Sequence, residues 1–178
     1  MELTVRDCAT KLGKSTSVVE YFHENKENFD FLYYYNFLLT RLPQSLIQEE
    51  DVLRKINDKF TIKNIGISKF YPYINHTWHT DTRRGVTINM LLQHTRSNVM
   101  FRYQSGNKEL NFEENFNNKM NYNLIEVNYE PNNFYLYNTQ IEHEVFNFEN
   151  ERYIFTMEFE QDKTELNYYD VLRYYESL

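Results

Sequence analysis

The second part of the chain is a succession of short segments rich in β-branched and aromatic residues. They begin at Thr61 and are separated by polar or turn-prone residues. Alternation is clearest in RYIFTMEFE, where every second side chain from Tyr153 to Phe159 is apolar. About eight strands at such short spacing are typical of an all-β sandwich or barrel. The segments are TIKNIGISKFYPY, GVTINMLL, NVMFRYQ, KELNFE, NLIEVNY, NNFYLYN, IEHEVFNF and ERYIFTMEFE.

Helical patterns flank this β-rich part. Ser15, Thr16 or Ser17 can cap a helix through VVEYFHENKENF, and Pro43 suits the first turn of a helix through PQSLIQEEDVLRKINDKF. The C-terminal TELNYYDVLRYYESL also has helical spacing. For the tyrosine-rich FDFLYYYNFLL, residues 29–39, we expect a helix or strand of the core.

These patterns predict one domain over residues 1–178, a length that suits a single domain with a substantial core. Its parts are a mostly helical region (1–60), a β core (61–160) and a C-terminal helix (161–178). The expected architecture is mainly β with flanking helices, and the N-terminal helices pack on one sheet.

Net charge and cysteine content limit the kinds of binding partner and the cellular compartment that we expect. The net charge of −7 argues against a broad nucleic-acid-binding face, although Arg83, Arg84 and Arg96 could line a local basic cleft. Cys8 is the single cysteine, so no internal disulfide forms. The N-terminal MELTVRDCATKLGKS lacks a signal-peptide core, and no apolar run has membrane-spanning length. We therefore expect a cytoplasmic protein with no membrane partner.

Metal-ligand residues occur in two distant segments. In WHTDTRRGVTINMLL, His79 and Asp81 stand two residues apart at the predicted start of a strand, and such side chains point to the same face. His143 lies near the start of the second-to-last strand segment. Two histidines and one carboxylate on one face bind non-haem Fe(II) and leave positions open. A double-stranded β-helix, or jelly roll, would bring the two segments together, because its second and seventh strands are neighbours.

Arg152 follows His143 by nine residues and opens the last strand segment. Its guanidinium offers a bidentate fork to a carboxylate. A dicarboxylate that chelates iron at one end needs such a cation at the other. The alternative for Arg152 is an ion pair with Glu149 or Glu151, and the alternative for the His-x-Asp pair is a plain surface turn.

Together, HTWHTDTRRGVTINMLL and EHEVFNFENERYIFTMEF resemble the Fe(II)- and 2-oxoglutarate-dependent oxygenase superfamily. The resemblance covers roughly residues 61–160 and rests on the whole pattern, since a lone His-x-Asp arises often by chance. The second segment also resembles aspartyl/asparaginyl β-hydroxylases. Those enzymes lack the metal carboxylate that Asp81 supplies here, so the resemblance does not extend to that subfamily.

The resemblance implies a jelly-roll dioxygenase that hydroxylates an unknown substrate, a small molecule or a protein side chain, with release of succinate and CO2. His79, Asp81 and His143 would bind Fe(II), and Arg152 would bind the far carboxylate of the co-substrate 2-oxoglutarate. Two alternatives stay open. One is a cupin-like metal enzyme that does not use 2-oxoglutarate, and the other is a non-catalytic jelly-roll binding module.

The resemblance also implies further co-substrate contacts. Asn89 or Tyr71 would hydrogen-bond 2-oxoglutarate, because the family often places a polar residue nearby. Family members with an Arg-x-Ser motif have a hydroxyl where this chain has Ile154. Thr156 is the nearest hydroxyl on the same face and is our candidate for that contact.

Overall fold

The structure is a computed structural model that describes residues 3–93, 97–104 and 122–178. The predicted strand KELNFE and Arg96 lie outside the described residues. Within the described ranges, eleven strands alternate with loops and a few helices. The strands are β1 (Ala9–Lys14), β2 (Leu32–Tyr34), β3 (Phe37–Arg41), β4 (Ile62–Phe70), β5 (Asn75–His79), β6 (Thr87–Leu91), β7 (Ser97–Gln104), β8 (Tyr122–Val127), β9 (Asn133–Tyr137), β10 (Glu142–Asn147) and β11 (Arg152–Phe159).

Two antiparallel sheets form the body of the fold. The larger sheet has the strand order β1-β9-β6-β11-β4-β3-β2, and the smaller has the order β5-β10-β7-β8. Strands distant in sequence are neighbours in both sheets, and a cavity lined by residues of both lies between them. This is the mainly β, jelly-roll architecture predicted from the run of short strands, and the prediction is confirmed.

The helices cover the outer face of the larger sheet. Phe22 and Leu53 from the N-terminal helices and Leu172 from the C-terminal helix pack against sheet residues that include Ile67 and Phe155. This main core lies on the face of β11 opposite Arg152 and Thr156, as the alternation predicts. None of the helices in the described ranges is long and apolar enough to cross a membrane. The helices are α1 (Val5–Cys8), α2 (Ser17–Asn25), α3 (Ser45–Glu49), α4 (Asp51–Asn57) and α5 (Tyr168–Glu176).

The first sixty residues contain strands as well as helices, which differs from the mostly helical region we predicted. β1 pairs with β9, and β2 and β3 extend the larger sheet beyond β4. The β2–β3 hairpin also differs from the expected core position, since Tyr33 is 79% exposed and Tyr35 is 88% exposed. Tyr35 stands in the turn with a φ of 55°. β1 and β3 pair with strands distant in sequence, and β2 joins the sheet through β3, so local propensity does not report these strands.

The predicted helix that starts near Pro43 is interrupted at Glu50, between α3 and α4. Glu50 is 4% exposed, and its carboxylate accepts hydrogen bonds at the start of α2. The donors are the Ser15 hydroxyl at 2.5 Å, the Thr16 amide at 3.0 Å and the Val18 amide at 2.8 Å. Glu50 therefore satisfies free amides at the N-terminus of α2. The interruption lets this side chain reach across from one helix to another.

His79 and Asp81 do not open the strand that runs through GVTINMLL, so this part of the prediction is wrong. His79 is the last residue of β5, Asp81 lies in the following loop, and β6 begins at Thr87 in the other sheet. A Cβ on Gly85 would lie 2.2 Å from the Leu166 carbonyl oxygen, so the loop follows this path only with glycine there. The polar residues of WHTDTRRGVTINMLL end β5 and form the loop after it, and the apolar residues form β6 in the other sheet.

Candidate metal centre

Antiparallel pairing of β10 with β5 brings the two distant histidine segments together. His143 lies directly opposite His79, and the register shifts before the next pair, Val145 with His76. One strand therefore carries an extra residue at this point, a β-bulge of the kind that redirects side chains next to functional sites. The ring centroids of His79 and His143 are 4.3 Å apart.

Asp81 completes a three-residue group at this end of the smaller sheet. Its Oδ1 is 3.7 Å from His79 Nε2 and 3.9 Å from His143 Nε2. One ligand atom from each residue lies within 4.8 Å of the other two. The Asp81 amide donates to the Thr139 carbonyl at 3.0 Å, which fixes the loop beside the start of β10. Separations of this size leave room for one ion between the three side chains.

Backbone carbonyls set the orientation of both imidazoles. His79 Nδ1 lies 2.7 Å from the Thr77 carbonyl oxygen, and His143 Nδ1 lies 3.0 Å from that of Ile141. A carbonyl only accepts, so each Nδ1 donates and each Nε2 keeps its lone pair for a metal. Burial lowers the pKa of His143, which favours the neutral form that coordinates metals. The three side chains therefore match a metal centre in chemistry as well as in position.

Arg152 lies deep in the cavity between the sheets, which has a volume of about 110 Å³ and also contains the three side chains above. The residue is 2% exposed. Its guanidinium carbon is 5.8 Å from the centre of the Phe70 ring and 5.7 Å from that of Tyr129. No carboxylate in the described parts of the chain pairs with it, and burial lowers its pKa. The Arg152 guanidinium therefore lies between two aromatic rings and has no carboxylate partner among the described residues.

Two buried polar atoms on the cavity wall have no hydrogen-bond partner among the described residues. They are Arg152 Nε and the Asn89 side-chain oxygen. A buried polar group without a partner costs about 1–3 kcal/mol. Arg152 Nε is a donor, so an acceptor bound in the cavity would satisfy it.

The same architecture occurs in solved structures. The chain is similar to a prolyl-4-hydroxylase from Pseudomonas putida, with a TM-score of 0.60 and 12% identity over 88% of this chain and 94% of that one. It is also similar to HygX from Streptomyces hygroscopicus with nickel and 2-oxoglutarate bound. For that structure the TM-score is 0.57 and the identity is 12%, over 88% of this chain and 86% of that one. The chain has the fold of the 2-oxoglutarate and Fe(II) oxygenases. No family model and no curated protein matches the sequence.

A third similar structure is itself named as a member of the 2-oxoglutarate and Fe(II) oxygenases. It is a 2OG-Fe(II) oxygenase family oxidoreductase from Burkholderia pseudomallei, with a TM-score of 0.55 and 13% identity. The match covers 82% of this chain and 78% of that one. At such identities the likeness concerns the fold, so the roles of individual residues here rest on this chain's own geometry.

The remaining predicted residues differ in their places within this oxygenase fold. Asn89 and Thr156, our candidates for co-substrate contacts, line the cavity. Tyr71 lies outside it, 40% exposed at the end of β4. The alternative pairing of Arg152 with Glu151 is not found, because the Glu151 carboxylate lies 2.7 Å from Lys69 Nζ.

Tyr129 and Tyr137 line the cavity although their sequence context did not single them out. Their rings are stacked with centroids 5.5 Å apart, and Tyr129 lies beside the Arg152 guanidinium. Burial raises the pKa of Tyr129 to about 12, so its hydroxyl stays protonated and able to donate. With 16 tyrosines in the chain, no local signal distinguishes these two from the rest. A position facing inward between the sheets is their only distinguishing feature.

An open groove of about 740 Å³ adjoins the cavity. The β2–β3 hairpin with Tyr35 and the loop with Arg83 contribute to its walls, and β4 and β11 contribute to its floor. His79, Asp81 and Arg84 line both the groove and the cavity. The candidate metal centre therefore stands where a smaller cavity meets a larger groove.

Proposed function

We propose that this chain is an Fe(II)- and 2-oxoglutarate-dependent dioxygenase of the hydroxylase type. The observation that carries the proposal is the buried Arg152 guanidinium, which shares a cavity with His79, Asp81 and His143 and has no carboxylate partner in the described ranges. A buried cation is costly unless an anion pairs with it. A dicarboxylate bound between metal and guanidinium would supply that anion.

The metal would be held by two imidazole nitrogens and one carboxylate oxygen. Such a set suits Fe(II) and leaves positions open for other ligands. When bound, Fe(II) would let O2 oxidise 2-oxoglutarate to succinate and CO2, with one oxygen atom passing to succinate and the other to the substrate. The chain's own part is positional: the carbonyls of Thr77 and Ile141 orient the imidazoles, and the loop contact at Thr139 holds Asp81 beside them.

The co-substrate would occupy the smaller cavity. Arg152 would pair with its far carboxylate through groups that include the unpartnered Nε. The Asn89 side-chain oxygen can only accept, so Asn89 would contact the dianion through its amide nitrogen. The Tyr129 hydroxyl can donate to the same carboxylate, taking the place of the serine that Ile154 replaces. Thr156, our candidate from the sequence for that same contact, lines both the cavity and the groove and remains a candidate for it.

The primary substrate would bind in the groove rather than in the cavity. At about 110 Å³ the cavity is smaller than typical ligand pockets, which start near 300 Å³, so it accommodates only a small co-substrate. The groove of about 740 Å³ has room for a small molecule or a protein side chain beside the metal centre. Both remain possible substrate classes under this proposal.

Anaerobic titration of the Fe(II)-loaded protein with 2-oxoglutarate tests the proposal. We expect a visible charge-transfer band that saturates with 2-oxoglutarate, because chelation joins an electron-rich metal to a ketoacid. Succinate formation in air provides an independent check. Fe(II) binding without this band would favour the cupin-like alternative, and the absence of metal binding would favour a non-catalytic binding module.

A further inference from the structure

The two carboxylate oxygens of Asp81 have different partners. Oδ1 faces His79 and His143. Oδ2 accepts from Arg84 Nε at 2.7 Å and lies 2.6 Å from Arg84 Nη2. The Asp81 side chain is 10% exposed and that of Arg84 is 34% exposed, so the pair is partly shielded from solvent. One oxygen is thus left for a metal while the other is held by a guanidinium.

Arg84 is itself held in place by contacts on several sides. Its backbone carbonyl accepts from the Thr139 hydroxyl at 2.7 Å and from the Gln140 side-chain amide at 2.8 Å. Its Nη1 lies 3.4 Å from the Thr156 hydroxyl and 3.5 Å from that of Thr87. These contacts hold the Arg84 backbone and place the guanidinium beside Asp81, where it restricts the rotation of the carboxylate.

The restriction has a chemical consequence for the metal centre. A free carboxylate can bind a metal through one oxygen or through both. With Oδ2 engaged by Arg84, Asp81 can offer only Oδ1. Three protein ligand atoms then leave an octahedral ion three positions, of which a chelating ketoacid needs two. A second oxygen from Asp81 would take one of these.

We propose that Arg84 is a positioning residue that keeps Asp81 a one-oxygen ligand and so reserves a coordination position for the co-substrate. The inference rests on the proposed function and deepens it. It makes an unusual prediction, because most partners that support a metal ligand strengthen metal binding. Arg84 carries a positive charge beside the metal and withholds an oxygen, so it should weaken metal binding while favouring the co-substrate.

The test compares Arg84→Met with Arg173→Met, an exposed arginine on α5 that lines neither the cavity nor the groove. Calorimetry with Co(II) alone measures metal affinity, and anaerobic Fe(II) titration measures 2-oxoglutarate affinity. For Arg84→Met we expect Co(II) affinity to rise about threefold to tenfold as like charge is removed. We expect 2-oxoglutarate affinity to fall about tenfold to a hundredfold. Arg173→Met should change neither.

Arg84→Lys keeps a cation on the carboxylate with fewer hydrogen bonds, so both shifts should be smaller. It gives the same test if Arg84→Met does not fold. Lower Co(II) affinity in Arg84→Met would overturn the inference by making Arg84 a plain structural support. Unchanged Co(II) affinity with weaker 2-oxoglutarate binding would also overturn it, by making Arg84 a direct co-substrate contact. Failure of wild type to bind Co(II) would overturn the proposed function as well.

Discussion

His143 lies directly opposite His79 in the antiparallel pairing of β10 with β5. This register, with the bulge beside it, places two imidazoles from distant parts of the chain 4.3 Å apart. Both belong to the sheet opposite β11, from which Arg152 faces the same cavity. One sheet thus supplies the two histidines and the other supplies the cation.

Replacing His79, Asp81 or His143 by alanine should each remove most metal binding. The ligand atoms lie within 4.8 Å of one another, so losing one leaves an incomplete set. We expect Co(II) or Mn(II) affinity, measured by calorimetry, to fall about a hundredfold or more, the upper end of the cost of losing a supporting partner. His23→Ala, an exposed histidine on α2, is the control. Equal affinity in all four variants would rule out this site.

Arg152→Leu should weaken 2-oxoglutarate binding and leave metal affinity nearly unchanged. Loss of a buried charged pair costs about 2–5 kcal/mol, or a rise in Kd of about thirtyfold to several thousandfold. Arg152→Lys should recover part of the loss, since an ammonium cannot reproduce the planar fork. The readout is the anaerobic charge-transfer titration.

The matched control for this prediction is Arg102→Leu. Arg102 is paired with Glu142 at 2.9 Å and is not among the residues that line the cavity. If Arg152→Leu binds 2-oxoglutarate as tightly as wild type, another cation holds the co-substrate. Arg84, on the cavity wall, would then be the first to examine.

Glu50→Ala should destabilise the fold without changing the metal centre. The Ser15 hydroxyl and two amides at the start of α2 would lose their acceptor in a buried place. Leaving buried donors unpaired costs about 1–3 kcal/mol, measurable by urea unfolding. Glu49→Ala, the exposed neighbour, should have little effect, and Glu50→Gln should keep part of the stability because its amide oxygen still accepts. Equal losses in the two alanine variants would contradict this role.

Stability should fall above about pH 9, with a contribution from Cys8. Burial raises the pKa of this thiol from 9.0 to about 12. The folded state therefore keeps the proton that the unfolded state releases. This contribution is fully present below pH 9.0 and is lost as the pH rises toward 12. Urea unfolding at about pH 8 and about pH 10.5 should show a larger drop for wild type than for Cys8→Ala. Equal drops would contradict it.

Features that depend only on neighbouring residues in the chain could be predicted from the sequence. The alternation from Tyr153 to Phe159 predicted both faces of β11, because side chains on a strand point to opposite sides whatever the strand pairs with. Spacing and residue type also identified His79, Asp81, His143 and Arg152 as candidates. Few kinds of side chain can bind iron or pair with a buried carboxylate. The structure brings these four together in one cavity.

Tertiary structure alone decided what depends on partners distant in the chain. Strand pairing and packing determine three features that the sequence did not predict. They are the strands within the first sixty residues, the place of His79 at the end of β5 rather than the start of β6, and the inward position of Tyr129. The assignment of Asp81 Oδ2 to Arg84 is of the same kind. A sequence records which groups are available and how they alternate. Which atom faces which is set by a register and a loop path that only the folded chain has, because those arise from the sum of many long-range contacts.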